Sequence, residues 1–144
     1  MVVTPPPGST IAAPGCGATP VYRGGVPAWL ITAGGALGLT DLPYVIARPP
    51  LAGGYVFGFP LRAGHPDNPT NKILWAMALP RNGSKLVINA HPLGASSPVL
   101  TEALPDNSRP GEIYPDIFDV PSAGCWQVAL DWTGHHVVLE LDYA

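Results

Sequence analysis

The chain is poor in charge. Lys and Arg number 7 and Asp and Glu number 10 among 144 residues, 12% of the whole, with a net charge of −3. An ordinary globular domain carries about 25%. Seven scattered cations cannot neutralise a run of phosphates, so no nucleic-acid partner is expected. Long apolar runs are also missing. One uncharged stretch, residues 24–40, carries Gly34-Gly35 in its middle and falls short of the ~20 residues of a spanning helix. Met1-Val2-Val3-Thr4 has neither a cationic start nor an apolar segment, so no signal peptide is expected within it. There is no Gly-x-Ser-x-Gly elbow, no Ser-x-x-Lys and no isolated Cys partnered by a His. No strict internal repeat is visible. These absences point away from an enzyme and away from a cofactor.

What is abundant is Gly, Pro and short apolar segments. Gly (17) and Pro (19) make up a quarter of the residues, while 47% are hydrophobic. The apolar residues fall in short alternating runs punctuated by Gly, Pro, Asn and Asp, the pattern of an all-β chain. A length near 150 residues supports one domain with a real core. The expectation is a Pro/Gly-rich tether over residues 1–20, ordered mainly near Cys16, and one sandwich domain over residues 21–144.

The C-terminal segment is the clearest element. With Thr133-Gly134 as a turn, residues 124–143 read as a β-hairpin in which Trp132 faces His135, Leu130 faces Val137, Val128 faces Leu139 and Trp126 faces Leu141. Such a hairpin needs a second layer against its apolar face. The second candidate hairpin is centred on Asn82-Gly83, pairing Leu79 with Leu86, Met77 with Ile88 and Trp75 with Ala90. Elsewhere the pattern predicts a strand over 26–33, a Gly34-Gly35 turn and a return over 36–40, then a short strand over 44–47. It also predicts a strand over 54–62 with Tyr55, Phe57, Phe59 and Leu61 on one face. Residues 98–104 are neutral between strand and helical turn. Residues 112–120 contain Pro115, which restricts them to an edge or a bulge. No helix longer than a turn or two is expected.

Cys16 and Cys125 are the two cysteines, both Gly-flanked. In an exported β-protein they read as one disulfide closing nearly the whole chain; two separate thiols are the alternative. Because Cys125 alternates with Trp126, the bond would lie on the outer face or rim of the last sheet. Ala12-Ala13-Pro14-Gly15-Cys16 has no apolar segment before it and is not read as a lipoprotein cleavage site.

Asn71-Lys72-Ile73-Leu74-Trp75, the Asn82-Gly83-Ser84 turn with Lys85-Leu86-Val87-Ile88, and Asp119-Val120-Pro121-Ser122-Ala123-Gly124-Cys125-Trp126-Gln127-Val128 together resemble a loose group of bacterial secreted and lipoprotein-like domains. Those domains are immunoglobulin-like sandwiches that end in a Gly-Cys-Trp strand and a final strand. The resemblance covers residues 70–143, with a weaker echo at Val26-Pro27-Ala28-Trp29-Leu30. The chain departs from antibody-type domains: no Cys stands in a second-strand position, and Ala123 stands where the tyrosine corner would be. The resemblance implies an immunoglobulin-like two-sheet antiparallel sandwich of about seven to nine strands, and export, with no assigned chemistry.

Candidate sites are few. His65, His91, His135 and His136 raise the question of a metal. His135 and His136 point to opposite faces of a strand, and no further ligand stands at a recognisable spacing. Should a metal bind, His65, Asp67, His135 and His136 are the ligands to test. Asp116, Asp119, Asp131, Glu140 and Asp142 could supply a carboxylate pair, but read more simply as charges on strand edges. Trp29, Trp132 and Tyr114 are the aromatics available for stacking on a glycan if exposed. Asn82-Gly83-Ser84 matches a glycosylation sequon but serves the turn. The functional expectation is a non-enzymatic, extracellular or cell-envelope domain acting through a protein partner or self-association, with carbohydrate binding as the alternative.

Overall fold

The computed structural model describes residues 4–35 and 39–144. Among the described residues, ten strands form two antiparallel sheets. One contains β1 (Thr10–Cys16), β2 (Thr19–Arg23), β3 (Tyr44–Ile46), β4 (Ala52–Val56), β5 (Lys72–Met77) and β8 (Ile113–Ile117), in that spatial order. The other runs β10 (His135–Tyr143), β9 (Gly124–Trp132), β6 (Leu86–Pro92), β7 (Leu100–Leu104). The expected two-sheet sandwich is therefore present, with ten strands where seven to nine were expected.

The terminal hairpin has the expected register, Trp132 opposite His135 through Trp126 opposite Leu141. Its inward residues meet Ile73, Trp75 and Met77 of β5 and Leu86, Ile88 and Ala90 of β6 in one core. Each large side chain buried there stabilises the fold by roughly 1.5–3 kcal/mol.

The Asn82-Gly83 hairpin is not formed. Asn82 and Gly83 do take positive φ values of 52° and 76°, as a type I′ turn requires. Yet β5 pairs with β4 and β8, while β6 pairs with β7 and β9. The turn carries the chain from one sheet to the other. Residues expected side by side instead face one another across the core, since alternation reports which face is apolar and not which strand is the neighbour.

Residues 26–33 are not a strand. Ala28–Ala33 form α1, entered through Pro27 and closed by the Gly34 N–H bonding the Leu30 carbonyl at 3.0 Å. Pro before the first turn and Gly after the last are helix signals that outweigh the Trp/Leu/Ile run. Residues 36–38 of the expected return limb lie outside the described residues, as do residues 1–3 of the expected tether. Leu39–Asp41 is a single 3-10 turn. α1 lies on the outer face of the six-stranded sheet and buries Leu30 and Ala33 against Tyr22, Tyr44, Tyr55, Leu74 and Ile113. A Cβ on Gly53 would stand 3.0 Å from Leu30 and 2.9 Å from the Val45 carbonyl, so that glycine sets how closely the helix approaches.

This second layer also corrects the reading of 54–62. Tyr55 lies under α1, Leu61 belongs to the sandwich core, Phe59 is exposed, and β4 ends at Val56. The segment turns at Gly58, where a Cβ would meet the Pro69 and Thr70 carbonyls, so only glycine fits. Within residues 1–20, Thr10–Cys16 is β1 and Thr19–Pro20 opens β2, so this part of the expected tether is sheet. Within residues 98–104, Leu100–Leu104 are strand β7, and the Pro115 segment is the edge strand β8, as its proline required.

Leu130→Ala, in the middle of the core, is expected to cost about 2–5 kcal/mol in urea unfolding. Ile11→Ala, on the exposed edge of β1, should stay within about 0.5 kcal/mol.

Candidate functional site

Of the residues proposed as metal ligands, Asp67, His135 and His136 make local side-chain contacts, and His65 makes a backbone one. The His65 backbone N–H donates to Asp119 Oδ1 at 3.1 Å, and Asp67 Oδ2 accepts from Thr70 Oγ1 at 3.3 Å. His135 stacks on Trp132 with ring centroids 5.3 Å apart, and His136 Nδ1 lies 2.7 Å from Asp131 Oδ1. His91 Nδ1 meets the Pro92 carbonyl at 2.9 Å. Among the described residues, no three His, Cys, Asp or Glu side chains converge.

The aromatics proposed for glycan stacking are not a platform. Tyr114 is 0% exposed and Trp132 2% exposed. Trp29 is half-buried beside α1's cluster. The hairpin tip is docked: the Thr133 N–H donates to Ser84 Oγ at 3.0 Å and Thr133 Oγ1 donates to the Arg81 carbonyl at 2.6 Å. Those bonds hold Thr133 at φ 47°, a conformation that a β-branched residue adopts only under restraint.

One flank of the sandwich is tied along β10. Cys16 and Cys125 form the disulfide, with Cα atoms 5.8 Å apart, and it joins β1 of one sheet to β9 of the other. Nearby, Glu140 is buried. Its Oε2 accepts from Arg48 Nη2 at 2.7 Å, and its Oε1 accepts from the Ala18 N–H at 2.8 Å and Thr19 Oγ1 at 3.1 Å. A Cβ on Gly17 would stand 2.5 Å from the Glu140 side chain, which leaves room for glycine alone. Burial pushes the Glu140 carboxyl up, but the Arg48, Ala18 and Thr19 hydrogen bonds together outweigh it and hold it below the usual range. Beside this network a cavity of about 100 Å³ opens between Val21, Val45, Val56, Phe59, Leu61 and Leu141.

At the other flank Arg81, 2% exposed, is the hub of the loop joining β7 to β8. Its Nε donates to Glu112 Oε2 at 2.9 Å, and its Nη1 lies 2.8 Å from Asp106 Oδ1. Nη1 also donates to the Ser108 and Ile113 carbonyls, and Nη2 to that of Gly111. Only a guanidinium's planar fork satisfies so many acceptors. Sequence reasoning saw the Asn82-Gly83 turn and passed over the arginine before it.

A pair of acids lies where β7 and β8 face each other. Glu102 stands opposite Ile88, and Asp116 opposite Ile73, so both occupy inward positions on edge strands. Their carboxyls lie within hydrogen-bonding reach of one another. Glu102 Oε1 and Asp116 Oδ2 are buried, and no donor among the described residues reaches them. The Trp75 indole N–H is directed at Asp116, is itself buried, and has no well-formed bond. Burial, then the bond and charge of Glu102, push Asp116 up to about 8. Asp116 also lines a shallow depression with Asn68, Lys72, Pro115 and Ile117. Asp116 was among the carboxylates named from the sequence, whereas Glu102 was not. The available signal was an acid set between apolar residues at i±2: Leu100-x-Glu102-x-Leu104 and Tyr114-x-Asp116-x-Phe118.

Carboxyls in direct contact leave no room for a sugar or a water between them, and glycoside hydrolysis needs a separation of about 5–9.5 Å. This pair can hold one proton. Asp119 caps the 62–71 loop through the Gly64 N–H and Asn71 Nδ2, each at 2.9 Å, and Asp131 and Glu140 are engaged as described.

Arg81→Ala should cost about 3–5 kcal/mol in urea unfolding, because the Ser108, Gly111 and Ile113 carbonyls lose their donor and buried Asp106 keeps only the exposed Arg109 as a cation. Arg81→Lys should recover only part of that loss. Glu140's lowered folded pKa makes its contribution complete above the ordinary Glu value of about 4.3 and lost as pH falls below it. Glu140→Gln should therefore flatten the fall in Tm between about pH 5 and pH 3 seen by circular dichroism. Compared with protein-family models, curated proteins and solved structures, the chain has no match.

Proposed function

We propose that this protein is a non-enzymatic, exported domain of the cell surface or envelope that acts through protein–protein contacts, with self-association into a repeated assembly as one form of them. The observation that carries this reading is the outer edge of β7. It is the last strand of its sheet, and among the described residues no strand pairs beyond it. The other edges are blunted. β1 carries two register shifts and Pro14, β8 carries Pro115, and β10 is covered by backbone bonds from Arg48 and from Leu61 and Ala63. Leu100–Leu104 contains no Pro and no Lys, and Val99 beside it is 57% exposed. An edge whose outward positions, Thr101 and Ala103, carry no charge and whose neighbour is apolar is a template for an added strand.

Further observations support the reading. The polar clusters of the sandwich are engaged in holding loops and strands together, and none presents a nucleophile to a cleft. The disulfide accords with an oxidising compartment, and no described helix is long and apolar enough to cross a membrane. The resemblance of residues 70–143 to secreted immunoglobulin-like domains points the same way.

Sedimentation analysis across a wide concentration range should show association that Val99→Lys with Ala103→Lys abolishes, while Tm is unchanged. A wild-type protein that stays monomeric throughout, binds no protein partner and turns over a substrate from a hydrolase panel would contradict the proposal.

A further inference from the structure

The β7–β8 flank is held differently from the β10 flank. No backbone ladder joins β7 to β8, which end separate sheets. Between them stand two acids within reach of one another, each with a buried oxygen that no donor among the described residues satisfies. A hydrogen bond between two carboxyls exists only while one of them keeps its proton.

We propose that Glu102 and Asp116 form a proton-operated latch: sharing one proton they hold β7 against β8, and on losing it to solvent they repel and let the two edges part.

The groups around the pair favour a single negative charge. From β5 the Trp75 N–H is directed at Asp116, enough to bond one carboxylate. Lys72, also on β5, lines the same depression, but its ammonium lies 4.6 Å from the centre of the Phe57 ring. From β10 the Tyr143 hydroxyl donates to the Phe118 carbonyl at 2.5 Å, and burial keeps that phenol neutral. Asp119, after β8, is held by Asn71 and two backbone N–H groups and adds negative charge. From β6, Glu102 faces Ile88, which cannot titrate. An inward acid on an edge strand also discourages edge pairing. That role needs one charge and no partner, whereas here two acids meet.

The sign follows from the raised Asp116 value. The folded state keeps a proton that the unfolded chain releases near pH 3.9. The latch's contribution is complete below about pH 4, declines as pH rises, and is gone above about 8. Alkaline conditions therefore loosen this flank.

The test uses the full disulfide-bonded chain. Carbon-detected NMR titration of the side-chain carboxyls should show the pair releasing its shared proton in a step near pH 8. Between pH 6 and pH 9 the wild-type Tm should drop by about 5 °C or more, and amide exchange in β7 and β8 should accelerate about tenfold beyond its intrinsic pH dependence while β9 does not. Asp116→Asn, which removes the raised group, should abolish the drop, and Glu102→Gln, which removes the second charge and leaves the burial, should reduce it. Both carboxyls ionised by pH 6, or a Tm drop of the same size in both variants, would overturn the latch. If Asp116→Asn does not fold, the wild-type titration and Glu102→Gln decide. These readouts do not involve association, so the latch and the proposed edge contact stand or fall separately.

Discussion

Closure along β10 is the constraint on which the rest of the sandwich depends. A strand at the end of a sheet normally leaves half its backbone groups to water. Here Arg48 and Val138 exchange both backbone bonds, at 2.9 and 3.0 Å, and Ala144 exchanges bonds with Leu61 and Ala63 at 2.8 and 2.9 Å. The six-stranded sheet thereby lends its connecting segments to the edge of the four-stranded one. The Glu140–Arg48–Thr19 cluster and the Cys16–Cys125 bond lie on the same flank. With that side fixed, Trp126, Val128 and Leu130 are held in register over β5.

The opposite flank has less. Arg81 anchors one end of the loop between β7 and β8, and a pair of acids holds the strands where they meet. The molecule is asymmetric: main-chain and covalent ties on one side, one shared proton and an open strand edge on the other. This asymmetry gives both functional readings their location. The edge that can take a partner strand and the contact that responds to pH lie on the same side.

Much of this was legible where neighbours in space are neighbours in sequence. The β9–β10 register could be read because Thr133-Gly134 joins two contiguous alternating runs. The inward faces of β5 and β6 were also read correctly, yet their pairing was not, because nothing in alternation distinguishes a hairpin from a crossing between sheets. α1 was mistaken for a strand because its six residues carry no charge to mark an outer face; its Pro27 and Gly34 brackets were the better guide. The rim position of Cys125 followed from Trp126 beside it. Glu102, Arg81 and Thr19 gave little sign of their roles, since each acquires its partner from an element 14 to 121 residues away.

Site-resolved native-state hydrogen exchange is the most direct test of the closed flank. The account requires the Val138 and Ala144 amides to exchange as slowly as those of central strand β9, because their bonds are made to the other sheet's connecting segments. It also requires the outward amides of β7 to exchange orders of magnitude faster. Val138 and Ala144 exchanging at the rates of β7 would mean that β10 is an ordinary open edge, and would contradict the asymmetry.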